Sequence, residues 1–330
     1  MKVLVAGLGG IGGLITDALA CGGGQVDVLA RGETLSRIRD DGLKIQTSGV
    51  ERTHRVHALA SSELQNDYDV IFACCKSQDF PAMVQSLKPA LSDGAALVAA
   101  VNGMPWWFPE SIRVNARALY LDSIDPQGRA ADLLADTPAI GLVVHASAHA
   151  IEPGVVRIVK ADRLVFGDVN GRLSRHTAGL AKICEQGGIA SPLVANVREE
   201  IWAKLWGNMN MNPLSALTRL STSPILETPE LCAMVRSMME EFEQVGQVLG
   251  LHLPMSAQDR IEVTRVLGDF RTSMLNDALA QRRLEHEGIL GSFVELAGKC
   301  GVGVPVSSIV YTLLKGLDLS FELQRARVAD

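Results

Sequence analysis

The chain has 330 residues, of which 47% are hydrophobic, 21% charged and only 5% aromatic, and its net charge is −6. That length exceeds one small core and predicts two domains, and the composition excludes disordered and collagen-like classes. Lys and Arg are scattered without a basic run, which argues against nucleic acid as a partner. The six cysteines, Cys21, Cys74, Cys75, Cys184, Cys232 and Cys300, form no CxxC pair and read as buried thiols of a reducing compartment.

At the N-terminus, Lys2 and the run ending Ala18-Leu19-Ala20-Cys21 imitate a lipoprotein signal. Asp17 interrupts the apolar stretch, however, and the glycines from Gly7 to Gly13 weaken a signal helix. No segment reaches the ~20 apolar residues needed to span a bilayer. A soluble cytoplasmic protein with no membrane partner is expected.

Short apolar runs predict strands at Lys2 to Ala6, Gln25 to Ala30, Asp69 to Cys74 and Ala95 to Val101, alternating with amphipathic helices as in a doubly wound α/β sheet. Between the first strand and the first helix stands Gly7-Leu8-Gly9-Gly10-Ile11-Gly12, a GxGxxG motif in the context that gives it meaning. The first glycine permits the turn, the second the approach of a pyrophosphate, and the third close packing of helix on strand. Helix N-terminal amides then face the phosphates. The competing reading, a glycine-rich turn of another α/β protein, does not account for strand, turn, helix and strand in that order.

Cofactor choice is read at the end of the second strand, where an NAD site carries an acid about 20 residues past the glycines. Here the residue is Arg31, which cannot accept from ribose hydroxyls but can pair bidentately with a 2′-phosphate. NADP(H) is therefore expected, with Glu33 as the competing ribose contact. Lys76 and Asn102 follow the third and fourth strands, at the carboxyl edge where ligands of open sheets bind. A solvated lysine and an Asn-Gly turn are the plainer readings of both.

Further strands are predicted at Ile140 to Ala146, Gly154 to Val159 and Arg163 to Gly167, the last two as antiparallel additions at the sheet edge after the Glu152-Pro153-Gly154 turn. The polar, glycine-containing stretch Gly167 to Gly171 suggests a boundary, dividing the chain into 1–170 and 171–330. Beyond it the pattern is helical, most clearly at Pro229 to Leu249 and Ser256 to Leu275.

Within Trp202 to Pro213, Lys204, Asn208 and Asn212 fall within about 80° of one another on a helix. Three polar groups on one side of an otherwise apolar helix point to a polar cleft, or to a buried network that merely joins elements. The pairs His54/His57 and His145/His149 lack a matched third ligand, so no metal is expected. Ser273 and Glu285 lie on helical sequence and by spacing alone read as a cap and a surface charge.

Taken together, these motifs resemble the ketopantoate reductase (2-dehydropantoate 2-reductase) family over nearly the whole chain. The landmarks are the opening glycines with Arg31, Lys76, Asn102-Gly103-Met104, Pro153-Gly154-Val155, the Trp202 to Leu217 block, Ser273-Met274-Leu275, and Glu285 with Glu287. The resemblance implies a Rossmann domain followed by an all-helical domain similar to the C-terminal domain of 6-phosphogluconate dehydrogenase. It implies a catalytic lysine at Lys204 and an active-site glutamate at Glu285. Asn208, Asn212 and Ser273 become substrate ligands, and the Gly7 to Gly12 loop, Arg31, Lys76 and Asn102 cofactor-side residues.

The implied reaction is NADPH-dependent reduction of ketopantoate, a 2-oxo acid, in pantothenate synthesis, with Lys204 protonating the developing alkoxide. A homodimer through the helical half fits the same picture. Two departures stand out. Met104-Pro105-Trp106-Trp107-Phe108-Pro109 replaces a small polar segment and is either core or a reshaped pocket, and Leu284-Glu285-His286-Glu287-Gly288 alters the setting of the glutamate. A dehydrogenase of another 2-oxo or 2-hydroxy acid and a silent dinucleotide sensor are the alternative functions.

Overall fold

Val3 to Ala6 are fully buried, as a strand covered by helices on both faces requires. They lie in an interior strand of the sheet seen in a computed structural model of the chain, which describes residues 1–91, 94–109, 112–114 and 117–329. In chain order the strands are β1 (Lys2–Ala6), β2 (Gln25–Leu29), β3 (Leu43–Thr47), β4 (Val50–His54), β5 (His57–Leu59), β6 (Val70–Ala73), β7 (Ala96–Ala99), β8 (Arg113–Val114), β9 (Arg117–Ala118), β10 (Ala139–Glu152) and β11 (Val155–Asp168). The helices are α1 (Gly10–Cys21), α2 (Gly32–Asp41), α3 (Phe80–Leu87), α4 (Arg129–Leu133), α5 (Arg175–Gln186), α6 (Val197–Thr218), α7 (Thr222–Glu227), α8 (Pro229–Leu249), α9 (Ala257–Val266), α10 (Ser273–Leu279), α11 (Ser292–Lys299) and α12 (Pro305–Ala329).

The chain divides into two compact units, Met1–Val101 with Arg129–Glu200, and Asn102–Gly128 with Ile201–Asp330. The first holds a mixed nine-stranded sheet in the order β4-β3-β11-β10-β7-β6-β1-β2-β5. Strands β5, β2, β1, β6 and β7 run parallel. The chain moves outward from β1 to β2 on one side and returns to β6 on the other, so the switch point where such sheets bind ligands lies beside β1.

Two expectations change here. The segments Gly154 to Val159 and Arg163 to Gly167 are one strand, β11, antiparallel to β10, and they are not at the edge, because β3 and β4 continue the sheet beyond them. Register shifts between His145 and Ala146 and between Ser147 and Ala148 let the long hairpin bend without ending, so its polar stretch only looks like a break in sequence.

The first unit also runs past residue 170. Asp168 accepts from Ser174 N at 2.7 Å and from Thr177 Oγ1 at 2.9 Å, so the polar turn starts α5. Leu180, Ala181 and Cys184 of α5 join the core of the same unit.

The second unit is helical apart from the short β8–β9 pair. Helix α8 occupies the predicted span, whereas the run expected from Ser256 to Leu275 breaks at Gly268, φ +79°, and restarts at α10, where the Thr272 side chain caps Leu275 N. Trp106, Trp107 and Phe108 are buried in this unit's core, and Phe108, Trp202, Phe242 and Phe293 form a chain of ring contacts. The bulky departure from the family pattern is therefore core. Among the described residues no helix is long and apolar enough to cross a membrane.

The turn from β1 into α1 is crowded by backbone. Gly7 has φ +94°, and a Cβ there would lie 2.2 Å from Cys74 O; one on Gly12 would lie 1.9 Å from Gly7 O. A side chain at Gly9 would meet no protein atom within 4 Å. Gly12→Ala should cost ~1–3 kcal/mol through overpacking. Gly9→Ala should cost under ~1 kcal/mol, the small difference between these residues at an N-cap. Thermal and urea unfolding followed by circular dichroism reads both, and equal losses would contradict this account of the turn.

Candidate active site and dinucleotide loop

In the first unit, Gly9 is the N-cap of α1 and supplies no side-chain cap, so the first-turn amides have no intrahelical acceptor and point outward. Leu8 and Ile11 pack against the core. Gly9 is exposed, so protein packing does not require a glycine there, whereas close approach of a pyrophosphate to the backbone does. The loop thus fits a dinucleotide on its own geometry.

Arg31 caps α2 just past β2 and is exposed, and its guanidinium has no hydrogen bond or ion pair among the described residues. Glu33, the rival ribose contact, lies 3.6 Å from Arg37 one turn along its own helix. Lys76 is half-buried and precedes a 3-10 turn after β6.

The second unit collects the remaining polar candidates. Helix α6 carries Lys204 and Asn208, both half-buried, and Asn212, which is buried. Loss of hydration lowers the Lys204 pKa to about 8, against the Glu285 carboxylate, which raises it. Asn208 Nδ2 donates to Asn102 Oδ1 at 3.0 Å.

Asn102 follows the fourth parallel strand, β7, by three residues, and it is grouped with this unit. Gly103, φ +111°, lies so close to a π-helical turn, Glu287–Gly291, that a Cβ would be 2.1 Å from Gly288 O, and Met104 N donates to that oxygen at 3.1 Å. The same contact brings the Asn102 segment beside the turn that follows Glu285.

Ser273 is exposed at the first position of α10. Its neighbour Thr272 does the capping and lies 2.5 Å from Ser215 Oγ, which ties α10 to α6 one turn beyond Asn212. The structure thus gathers Asn102, Lys204, Asn208 and Glu285 directly, and Asn212 and Ser273 through this link.

Several residues that sequence reasoning passes over hold these in place. Buried Asp318 of α12 accepts from Leu284 N at 2.8 Å and lies 3.3 Å from His286 Nε2, gripping both neighbours of Glu285. Glu287 has a different task from Glu285, since it accepts from Tyr311 Oη at 2.6 Å. Arg260 lies against α6 at Gly207, where a Cβ would be 2.5 Å from Nη2, and it has no carboxylate partner among the described residues. Burial lowers its pKa. No sequence signal announces Asp318 or Arg260, because each acts across the fold.

The histidine pairs do not form. His54 Nε2 lies 2.6 Å from Asp17, and His57 Nδ1 3.5 Å from Asp27. His145 and His149 stand on one strand, four residues and ~13 Å apart.

Comparison with known proteins gives two family matches, "Ketopantoate reductase PanE/ApbA" over residues 3–171 and "Ketopantoate reductase PanE/ApbA C terminal" over residues 196–318. A 2-dehydropantoate 2-reductase of Mesorhizobium japonicum is 30% identical over 96% of this chain and 98% of its own. A crystal structure of a protein described as a putative ketopantoate reductase from Ralstonia solanacearum superposes with a TM-score of 0.90 at 30% identity, over 97% of this chain and 98% of that one. A D-mandelate dehydrogenase with NADH and anilino(oxo)acetate shares the fold, with a TM-score of 0.81 at 19% identity, over 98% of this chain and 100% of that one.

The electrostatics of α6 are open to direct titration. Lys204 Nζ should titrate near pH 8, and Glu285→Gln should move that midpoint lower by removing the charge that holds it up. The depressed pKa also has a sign in stability. Between about 8 and the lysine value of 10.5 the unfolded chain keeps a proton the folded one has lost, so this lysine's contribution to stability rises with pH across that window. The pH dependence of amine acylation at Lys204, followed by peptide mass spectrometry, measures the midpoint; an unchanged value in Glu285→Gln would refute the coupling.

Proposed function

The chain belongs to the ketopantoate reductase (PanE/ApbA) family, and from that premise we propose that it reduces ketopantoate to pantoate with NADPH. At the level of the family, the activity is that of a reductase acting on a 2-oxo or 2-hydroxy acid with NAD(P)H. The observation that carries the finer reading is the half-buried Lys204, with a pKa near 8, opposed by Glu285 and followed by two asparagines along α6.

The glycine loop, the first-turn amides of α1 and Arg31 would hold the pyrophosphate and 2′-phosphate of NADPH, which would supply the hydride for the carbonyl carbon. The Lys204 ammonium hydrogen-bonds to the carbonyl oxygen and gives its proton to the alkoxide as it forms. A pKa near 8 keeps it mostly charged at neutral pH while making the proton easier to surrender. Glu285 orients the ammonium. Asn208 and Asn212 bind substrate hydroxyl or carboxylate oxygens without adding charge, and Ser273 donates to the carboxylate. Six free thiols suit a cytoplasmic enzyme of pantothenate synthesis.

A second reading has one observation in its favour. The same fold serves the D-mandelate dehydrogenase, so another 2-oxo acid is a substrate to test beside ketopantoate. The tryptophans that first suggested it lie in the core and lend it no support.

NADPH oxidation with ketopantoate and a panel of 2-oxo acids should show ketopantoate preferred in kcat/KM. A higher value for another acid would transfer the assignment to it, and no turnover with any, despite NADPH binding, would leave a dinucleotide sensor. Lys204→Ala should lose ~10²–10⁴ in kcat, the usual share of a general acid, while still binding NADPH by fluorescence titration. Arg31→Ala should raise the KM for NADPH ~10-fold or more, the worth of charge-assisted hydrogen bonds, and leave that for NADH nearly unchanged. Equal losses would remove the preference for the 2′-phosphate.

A further inference from the structure

The other end of α1, ~17 Å along the helix from Gly10, gathers three groups that the reductase reading does not use. Asp17 and Cys21 stand four residues apart, so their side chains share a face of the last turn and a half. His54, the last residue of β4, meets them. His54 Nε2 lies 2.6 Å from Asp17 Oδ1, Cys21 Sγ lies 3.6 Å from the same oxygen, and Sγ lies 4.0 Å from Nε2.

A triangle with those edges has a point about 2 Å from all three corners, close to the ~2.0–2.3 Å bonds that zinc makes to carboxylate oxygen, imidazole nitrogen and thiolate sulfur, and widening the 2.6 Å oxygen–nitrogen edge to ~3.3 Å lets the metal rise out of that plane into tetrahedral geometry. We propose that Asp17, Cys21 and His54 form a zinc-binding site, with a fourth, water-filled position towards the exposed Cys21 side, that clips the β3–β4 hairpin at the sheet edge to α1.

The surroundings fit a cation. The site lies at the carboxyl end of α1, where the helix dipole favours positive charge. Asp17 is buried, and its second oxygen accepts from Arg52 Nη2 at 2.9 Å, which fixes the carboxylate with Oδ1 turned to the other two ligands. Carboxylate and thiolate offset the charge of the dication, the Arg52 guanidinium leaves the cluster with a net charge of +1, and the imidazole binds neutral.

On binding, a metal–sulfur bond replaces the Cys21 S–H bond and that proton passes to water, while the imidazole binds through Nε2 with its own proton on Nδ1. Because the thiol must lose its proton to bind, affinity increases with pH. Among the described residues, Asp17, Cys21, His54 and Arg52 are the charged and titratable groups that face the site. The sequence expectation of no metal rested on the missing third ligand, which the fold supplies from α1.

Cobalt(II) titration of the full-length protein tests this without reference to turnover. Expected are one equivalent per chain, a near-ultraviolet thiolate charge-transfer band, tetrahedral visible bands, and displacement by zinc. Cys21→Ser should abolish the charge-transfer band and His54→Ala should weaken binding at least ~10-fold, while Cys232→Ser changes neither. Zinc should raise the thermal midpoint of the native chain and leave that of Cys21→Ser unmoved. NADPH binding by both variants confirms that they fold. A missing band in the native chain, a band that persists in Cys21→Ser, or equal affinity in His54→Ala would each overturn the site.

Discussion

An ammonium group withdrawn from water needs a nearby carboxylate to remain charged, and the polar part of the second unit is arranged around supplying one to Lys204. The carboxylate is Glu285, which lies just ahead of a π-helical turn, an irregularity often found at functional sites. Irregular backbone needs holding. Asp318 takes the amide on one side of Glu285 and the imidazole on the other, which fixes the backbone that carries the glutamate. Gly103 closes against Gly288 from the opposite chain segment, and through it Asn102 reaches Asn208. One charge balance thus explains why a glycine, an aspartate and a paired asparagine occupy positions that have no direct part in protonating a substrate.

The first unit depends on a different electrostatic element, the dipole of α1. Its amino end is uncapped by any side chain and opens at the sheet's switch point, the arrangement that favours an anion. Its carboxyl end carries Asp17 and Cys21 beside His54, the arrangement that favours a cation. Both ends also connect the helix to strands: the glycine crowding presses α1 onto β1 and β6, and the Asp17 contacts tie it to β4. The same helix therefore serves as ligand platform and as a brace across the sheet.

Much of this was legible in the sequence because it is local. The glycine motif works through neighbours a few residues away, and Lys204, Asn208 and Asn212 share a face by helical spacing alone, so both could be read without a fold. Arg31 stood out by its place at the end of β2. What escaped notice acts at long range. Asp318 and Arg260 lie on helices remote in sequence from the residues they touch, and no periodicity marks them. Near residue 170, a polar turn that caps a helix looks the same in sequence as a linker; only the apolar face of α5, buried in the first core, tells them apart. Strand β4 escaped because four of its five residues are exposed and it carries no apolar alternation.

The aromatic segment shows how such a long-range fact bears on chemistry. In sequence, Trp106-Trp107-Phe108 follows an Asn-Gly turn beside the candidate site and invites a bulky, apolar substrate as its partner. In the fold these rings are buried, and Phe108 reaches Trp202, which lies two residues before Lys204 on α6. Trp202 in turn stacks on Phe242 at 3.8 Å between ring centroids. Rings packed in this way bury large areas with few rotatable bonds, so they hold the start of α6 in one place at little cost in side-chain entropy. Their contribution to the candidate site is the rigidity of the helix that carries Lys204, and the polar groups there are the Lys204 ammonium and two amides on α6, with the Glu285 carboxylate brought beside the lysine from outside that helix.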